Sequence, residues 1–565
     1  MKKLNFLKRA VFAFTVVLFA GCNDQLTEMN ENPNGVDPAS ANPNMTIPTI
    51  QTGLALNYQN LNYGDLGGVV QHIQHDGWFG GVNHYDWSPN NWGGWYDLLR
   101  NNQFLYKRAV AQDFKFHQGV ALTMRAFIYG TITDLWGDAP YTNAVRGDES
   151  DEFLSPEFDS QEVIYKGIIE DLKAASALFA TGDNTGYLAG YDLYFAGDPR
   201  KWNNFANTLL LRYYMRISAK LPEVARAGVE AVYKSGIYMK TAADDASMPY
   251  VGATSGNSWP TAAQFDTEDG SGFRRKKPGQ LFVQTLMKNR DPRLQLWINP
   301  VNVPWVADPT LPTAVDEFIR RNGVIMPNIK AMTELQLNTA IKGGGRFSRR
   351  YNPTLYKGSL DTNRFVGVPS GLMQPDYYNN NPTPGQSVQN QHVSQLTDLF
   401  RGNSGPLLRA RVATASETGF ILAEAGIKGW AVGSAETHYR DAIKNSLDTW
   451  GIGAQYASFI LQPTVAFKNT LDQIMEQKWI AGFTMGSEAW FDFRRTGLPA
   501  FKPGEASAET VLPLRFIYGD NEVNVNSKNA DAAINRLEAT KHSTFRGKNS
   551  QWAKPWIVQG TGKPW

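Results

Sequence analysis

Two apolar-periodic segments that follow one another with almost no connection constrain this chain's fold more than any other feature. In "KWNNFANTLLLRYYMRISAKL" (201–221), Phe205, Leu209, Tyr213 and Ile217 recur every fourth residue and line one face of a helix. "PEVARAGVEAVYKSG" follows at once, so a very short turn joins two helices. A similar face appears in "SQEVIYKGIIEDLKAASALF" (160–179), from Ile164, Ile168, Leu172, Ala175 and Phe179, where Ser160 and Glu162 suit a helix start. Near the end, "PLLRARVATASETGFILAEAGIKGW" (406–430) leads to "SAETHYRDAIKNSLDTW" (434–450) and then "TLDQIMEQKWIAGF" (470–483).

Small residues stand where such helices would touch: Ala415, Ala423, Ala425 and Gly426 in one, Ala435 and Ala442 in its partner. Helix pairs with small contact residues and short turns resemble tetratricopeptide units, although the spacing is too irregular for a clean solenoid array. The stretches 240–405 and 500–565 carry Gly, Pro, Asn and scattered Trp without sustained periodicity, and read as ordered loops with short helices and strands. The expected fold is mainly α: a superhelical scaffold of helix pairs over about 50–240 and 406–500, a loop-rich region over about 241–405, and an irregular segment 501–565.

The beginning of the chain reads as a targeting segment. Lys2, Lys3, Lys8 and Arg9 precede the eleven apolar residues "AVFAFTVVLFA" (10–20), too short to span a bilayer as a stable helix. The run ends in "FAGC", which resembles a bacterial lipobox, with Phe19 where Leu is usual. Cys22 is the sole cysteine, so no intramolecular disulfide is possible, and it stands where a lipid would be attached. Residues 1–21 therefore read as a signal, 22–48 as a lipidated polar tether rich in Asn and Pro, and 49–565 as a single domain. No other run approaches eighteen apolar residues. Four of the 55 Lys and Arg precede Cys22, leaving 51 against 53 Asp and Glu, and no basic stripe suggests nucleic acid as a partner.

Catalytic signatures are lacking: there is no G-x-x-x-x-G-K-[ST], no H-E-x-x-H and no G-x-S-x-G. "RGNSGP" (401–406) has only a superficial likeness to a serine-protease loop around Ser404. His72, His75, Asp76 and His84 lack a complete ligand pattern, and "DTEDGSG" (266–272) misses the spacing of a calcium loop, so no metal or cofactor is expected. What stands out is "DGWFGGVNHYDWSPNNWGGWY" (76–96), with seven aromatic rings in twenty-one residues. Exposed Trp and Tyr faces beside Asn and Asp suit the apolar faces and hydroxyl edges of a sugar ring. Trp92, Trp95 and Tyr96 lead into a helix and read as scaffold; Asp76, Trp78, Asn83, Tyr85 and Trp87 read as a ligand platform.

Several segments together resemble the SusD/RagB outer-membrane lipoproteins of Bacteroidetes. "ITDLWGDAPYTNA" (132–144) is similar to that family's Asp-aromatic-Gly-Asp-small-Pro-aromatic signature. "WNNFANTLLLRYYMRI" (202–217), "ILAEAGIKGW" (421–430) and "AWFDFRRTGLP" (489–499) resemble its helix motifs. "LPLRFIYGDNEVNVN" (512–526) resembles its tail, with Gly519 where Pro is usual. The spacing is nearest the second, divergent subgroup. The resemblance implies four tetratricopeptide-like helix pairs cradling an irregular ligand region, and no catalytic activity. It also implies a place on the cell surface as a lid over a SusC-like, TonB-dependent transporter, capturing oligosaccharides or, in some branches, peptides. Asp76, Trp78, Asn83 and Trp87 occupy a comparable early loop, and Trp259, Trp305, Tyr377 and Tyr378 lie in the region that usually supplies the remaining contacts.

Overall fold

The structure, a computed structural model, describes residues 41–77, 80–267, 270–301, 361, 363–379, 390 and 393–563, with the backbone of three further short strands within 319–349. Cys22, Trp78 and Trp305 lie outside the described residues. Asn44–Trp565 form one compact unit. Its first residues come from the expected tether: Asn44 and Ile47 are buried. The Asn44 amide donates to the Gly186 carbonyl at 2.8 Å and accepts from Leu188 N at 2.9 Å. An amide side chain with both ends satisfied holds backbone as a capping group does, so Asn44 ties this part of the chain to the body.

The principal helices are α1 Ile47–Tyr63, α2 Gly93–Ala111, α3 Lys115–Trp136, α4 Gln161–Ala180, α5 Pro199–Arg216 and α6 Pro222–Ser235. After the loop-rich middle, which contains α7 Gln280–Lys288, come α8 Ala415–Ile427, α9 Ala435–Thr449, α10 Leu471–Ala481, α11 Gly486–Thr496 and α12 Ser527–Arg536. The fold is mainly α, and successive helices pack as pairs, α2 on α3, α3 on α4, α4 on α5, α5 on α6 and α8 on α9. Side-chain caps start five of them: Ser160 accepts from Val163 N, Asp198 from Arg200 N, Thr414 from Glu417 N, Ser434 from Thr437 N and Thr470 from Gln473 N. The α4 face read from the sequence is buried in full, from Ile164 to Phe179. Close approach of α8 and α9 depends on two glycines. A Cβ on Gly419 would stand 2.8 Å from Ala442 Cβ, and one on Gly426 2.8 Å from Ala435 Cβ.

The strands are short. β1 Ile73–His75 pairs antiparallel with β5 Lys276–Pro278, β2 Ala139–Pro140 with β3 Phe158–Asp159, and β4 Ala246–Pro249 with β9 Arg409–Ala413. A three-stranded sheet has the order β7 Val324–Ile325, β6 Ile319–Arg321, β8 Phe347–Arg349. β9 corrects the reading of 406–430 as one helix: Arg409–Ala413 extend to pair with β4, and α8 starts only after the Thr414 cap.

Five carboxylates and five cations meet inside the helical body. Arg212 makes a two-pronged pair with Glu417 at 2.7 and 2.7 Å. Arg216 reaches Glu488 at 2.5 Å and Asp134 at 3.4 Å, and Arg494 stands 3.7 Å from Asp134. Lys478 pairs with Asp492 at 2.7 Å, and Arg495 bridges Asp492 and Glu424 at 2.9 and 2.5 Å. None of these side chains is more than 9% exposed, so their charges are compensated by one another and not by water. Burial alone would raise the Glu488 carboxyl, but Arg212 and Arg216 outweigh it and hold it below the ordinary Glu value.

Candidate functional site

The loop face is assembled around the β1–β5 ladder. Gly279 N donates to the His72 carbonyl at 3.0 Å and Asp76 N to the Arg275 carbonyl at 3.0 Å, which fastens the early loop to the start of the loop-rich region. β5 lies in a basic run, Arg274 to Lys277, of which Arg275 and Lys277 are buried. The Asp76 carboxylate stands 3.6 Å from Arg275 Nη1 and 3.5 Å from Lys277 Nζ. Lys277 donates onward to Gln395 Oε1 at 2.6 Å, and Gln395 Nε2 donates to the Phe273 and Lys276 carbonyls at 3.1 Å each. Burial pulls the Lys277 ammonium below its ordinary value while Asp76 pulls it back up. Lys276 lies against the Tyr63 ring, and burial brings it down to about 8.

Gln395 also floors a polar pocket of about 270 Å³, walled by Arg274, Asn299, Asp398 and Arg401, with Phe273 at its side. The Arg401 guanidinium lies 5.5 Å over the Phe273 ring. Asp376 and Tyr377 sit on the turn Pro375–Tyr377, near the Asp76–Arg275 pair. Burial raises the Asp376 carboxyl; the field of Asp76 adds to this and that of Arg275 opposes it, so the three groups share one electrostatic neighbourhood. Guanidinium, carboxylate and amide groups around a concavity can donate to and accept from adjacent hydroxyls at once, the chemistry a polyol needs.

The residues expected to form the platform divide. Asp76 and Asn83 are buried, and Asn83 is spent on backbone, accepting from His75 N at 2.9 Å and donating to the His75 carbonyl at 2.8 Å. Trp87 is 6% exposed, donates to the Gly81 carbonyl at 2.9 Å and meets Trp490 and Phe516 edge-on at 5.8 and 5.1 Å. Tyr85, also buried, bonds Ser370 Oγ at 2.8 Å. Trp259, 1% exposed, packs edge-on against Tyr63 and Tyr250. Asn83, Tyr85 and Trp87, expected on a ligand platform, and Trp259, expected in the region of further contacts, are all buried: their loops fold over the core and aim these side chains inward. Asp76 remains near the pocket as the counter-charge of Arg275 and Lys277. Tyr377 and Tyr378 are half-buried; Tyr378 accepts from Gln280 at 2.9 Å and packs beside a small valine cluster. Trp92 and Trp95 are buried and Tyr96 half-buried, in keeping with scaffold.

The pocket residues Arg274, Asn299, Gln395, Asp398 and Arg401 were not singled out from the sequence. The only signal was the "RRKK" run, because four adjacent cations in a loop imply built counter-charges nearby.

The histidines do not converge. His75 lies 3.3 Å from Lys276 Nζ, and His84 contacts the Leu372 carbonyl at 2.8 Å. His72 stacks on Trp479 at 5.5 Å and donates to its carbonyl at 2.9 Å. Burial lowers His72 to about 3, so the unfolded chain binds this proton between about pH 6.5 and 3 and the folded chain does not. Stability is therefore lost on acidification through that window, by about 1.4 kcal/mol per pH unit for one proton. Asp65 and Asp245, pushed up to about 6 by burial, act in the opposite sense, so the contribution is read as a difference. His72→Phe should flatten the fall in Tm between pH 6.5 and 5 relative to wild type; parallel curves would refute the assignment.

The comparisons with known proteins follow this geometry. The model of the second SusD-like family, described as starch-binding and associating with the outer membrane, matches residues 34–304 and 354–519. The chain belongs to the SusD-like family. Among solved structures, this SusD-like chain is similar to an outer membrane protein of Bacteroides vulgatus ATCC 8482, with 20% identity, 92% of this chain and 100% of that chain covered, and a TM-score of 0.69. A SusD homolog from Bacteroides fragilis NCTC 9343 covers 92% and 99% at 19% identity, with a TM-score of 0.66. A chitin-binding SusD homolog from Flavobacterium johnsoniae covers 91% and 99% at 19% identity, with a TM-score of 0.63. No curated protein matches the sequence. At these identities the SusD-like structures establish the fold of the chain and not its ligand. No helix among the described residues is long and apolar enough to cross a membrane.

Proposed function

We propose that the chain is a non-catalytic, surface-exposed lipoprotein, held by lipid on Cys22, that captures oligosaccharides on its loop face and passes them to a SusC-like, TonB-dependent outer-membrane transporter. The observation that carries this reading is the polar pocket of about 270 Å³, lined by Arg274, Asn299, Gln395, Asp398 and Arg401, in a SusD-like fold. Its guanidinium, amide and carboxylate groups supply paired donors and acceptors for sugar hydroxyls, and Tyr377 supplies a ring for a sugar face. The family's description as starch-binding and the chitin-binding relative support a glucose- or glucosamine-type polymer fragment.

Calorimetric titration against malto-oligosaccharides, chito-oligosaccharides and mixed peptides tests this reading. At least one oligosaccharide series should bind. Arg401→Ala and Tyr377→Ala should each weaken it tenfold to a hundredfold, roughly 1–3 kcal/mol, with melting unchanged. Binding of peptides alone would move the chain to a peptide-capturing branch, and shortened glycan products would make it a lipid-anchored glycoside hydrolase.

A further inference from the structure

A second and larger pocket, of about 660 Å³, shares no lining residue with the loop-face pocket. It lies between α2, the loop 148–157 and the short helix Asp520–Val525. Trp92 closes its base, Tyr96 and Phe104 of α2 form one wall, and Phe153 and Leu154 form the other. At its mouth Leu154 is 65% and Val525 80% exposed. An isolated exposed apolar side chain needs no explanation, but two beside a ring-lined concavity make a patch of the kind that partners cover.

Carboxylates outnumber cations around the patch. The stretch 148–157 holds five carboxylates and no cation, and Glu522, on the same short helix as Asp520, lines the opposite side. The neighbouring cations are already engaged: Arg100 with Asp97, Lys107 with Asp148 and Glu149, and Arg146 with Glu149. Asp151, Glu152, Glu157, Asp520 and Glu522 have no cationic partner among the described residues. Glu522 takes a hydrogen bond from the Trp92 indole, and water and salt serve the exposed carboxylates when the face is free; a partner carrying Lys or Arg around an apolar side chain would serve them while filling the pocket.

We infer that this pocket is a docking site for a segment of another protein that presents a bulky apolar side chain flanked by basic residues. The inference stands apart from oligosaccharide capture, because it uses different residues and a different chemistry.

The test titrates the full chain, in mild detergent, with two synthetic heptapeptides that share a central Phe-Leu pair. One is flanked by lysines and the other by glutamates. The lysine-flanked peptide should bind, and its affinity should fall about tenfold as salt rises from low to high. Leu154→Ser with Val525→Ser, both at exposed positions the fold does not need, should weaken it about tenfold or more. Glu152→Gln with Glu522→Gln should remove most of the salt dependence. Oligosaccharide titration of the same variants should match wild type. Equal binding of both peptides, binding of neither, or binding indifferent to Leu154→Ser with Val525→Ser would overturn the proposal. So would displacement of the lysine-flanked peptide by an oligosaccharide, or concentration-dependent dimerisation lost in that variant, which would assign the pocket to a sugar or to a second copy.

Discussion

Glu488→Ala is expected to cost about 3–5 kcal/mol of stability, a large share of the roughly 5–15 kcal/mol that holds a folded protein together. The side chain receives Arg216 at 2.5 Å and the Tyr58 hydroxyl at 3.0 Å, and Arg212 stands 3.6 Å away. Removing it leaves two buried guanidiniums and a phenol short of an acceptor, and a methyl group cannot draw in enough water to replace it. Glu488→Gln keeps an acceptor and most of the volume but deletes the charge, so its cost should be smaller than that of Ala yet well above zero. Urea denaturation of wild type and both variants gives the comparison. A cost below about 1 kcal/mol for Glu488→Ala would mean that water already reaches the network, since only exposed pairs are worth so little.

Trp87→Ala is expected to cost a comparable 3–5 kcal/mol, with oligosaccharide affinity unchanged in the fraction that remains folded. The ring is 6% exposed, and its edge-on contacts with Trp490 and Phe516 place it between the early loop and α11. Deleting it opens a cavity that rigid aromatic neighbours cannot collapse to fill. Melting curves and calorimetric titration on the same preparation separate the two effects. Normal melting with lost affinity would return Trp87 to the ligand platform.

The contrast between these residues shows how far a sequence can be read. The faces of α4 and α5 were legible because apolar spacing near 3.6 is a local signal, and Ile164 or Phe205 has no other reason to recur. β9 was not, because "RARVATA" carries alanines that suit a helix, and its extended form depends on pairing with β4, about 160 residues earlier. The run 76–96 misled in the same way. Gly, Asn and Pro correctly marked irregular backbone, but irregular backbone does not fix which way a ring points. Gly68 lets the Val82 backbone close down on it, where a Cβ would stand 2.1 Å from the Val82 carbonyl oxygen, and Tyr85 and Trp87 follow the chain inward. The pocket around Arg401 could not be read at all: Arg274, Asn299 and Arg401 converge only through the β1–β5 ladder and the Gln395 bridge.

The motifs that carry the family resemblance supply most of the charge network. Asp134 belongs to "ITDLWGDAPY", Arg212 and Arg216 to "LLLRYYMRI", Glu424 to "ILAEAGIKGW", and Asp492, Arg494 and Arg495 to "WFDFRRTG". None of these positions lines the polar pocket.

The same long-range bonds set an order of assembly. The Tyr58 hydroxyl needs Glu488, the Trp479 indole needs the Val70 carbonyl, and the Gln551 amide needs the Tyr85 carbonyl, partners separated by 430, 409 and 466 positions. Contacts so remote must wait for loop closure over nearly the entire chain. The first helix and the loop after it therefore cannot finish their surroundings early in synthesis; the Tyr58 phenol and the Val70 and Tyr85 carbonyls stay open to water until the last hundred residues arrive. A chain stalled or clipped near residue 480 would lose far more than its final segment, since Arg212, Arg216 and Asp134 would be left in the interior without Glu488 and Arg494. Completeness of the polypeptide is thus checked by its own electrostatics before any ligand is met.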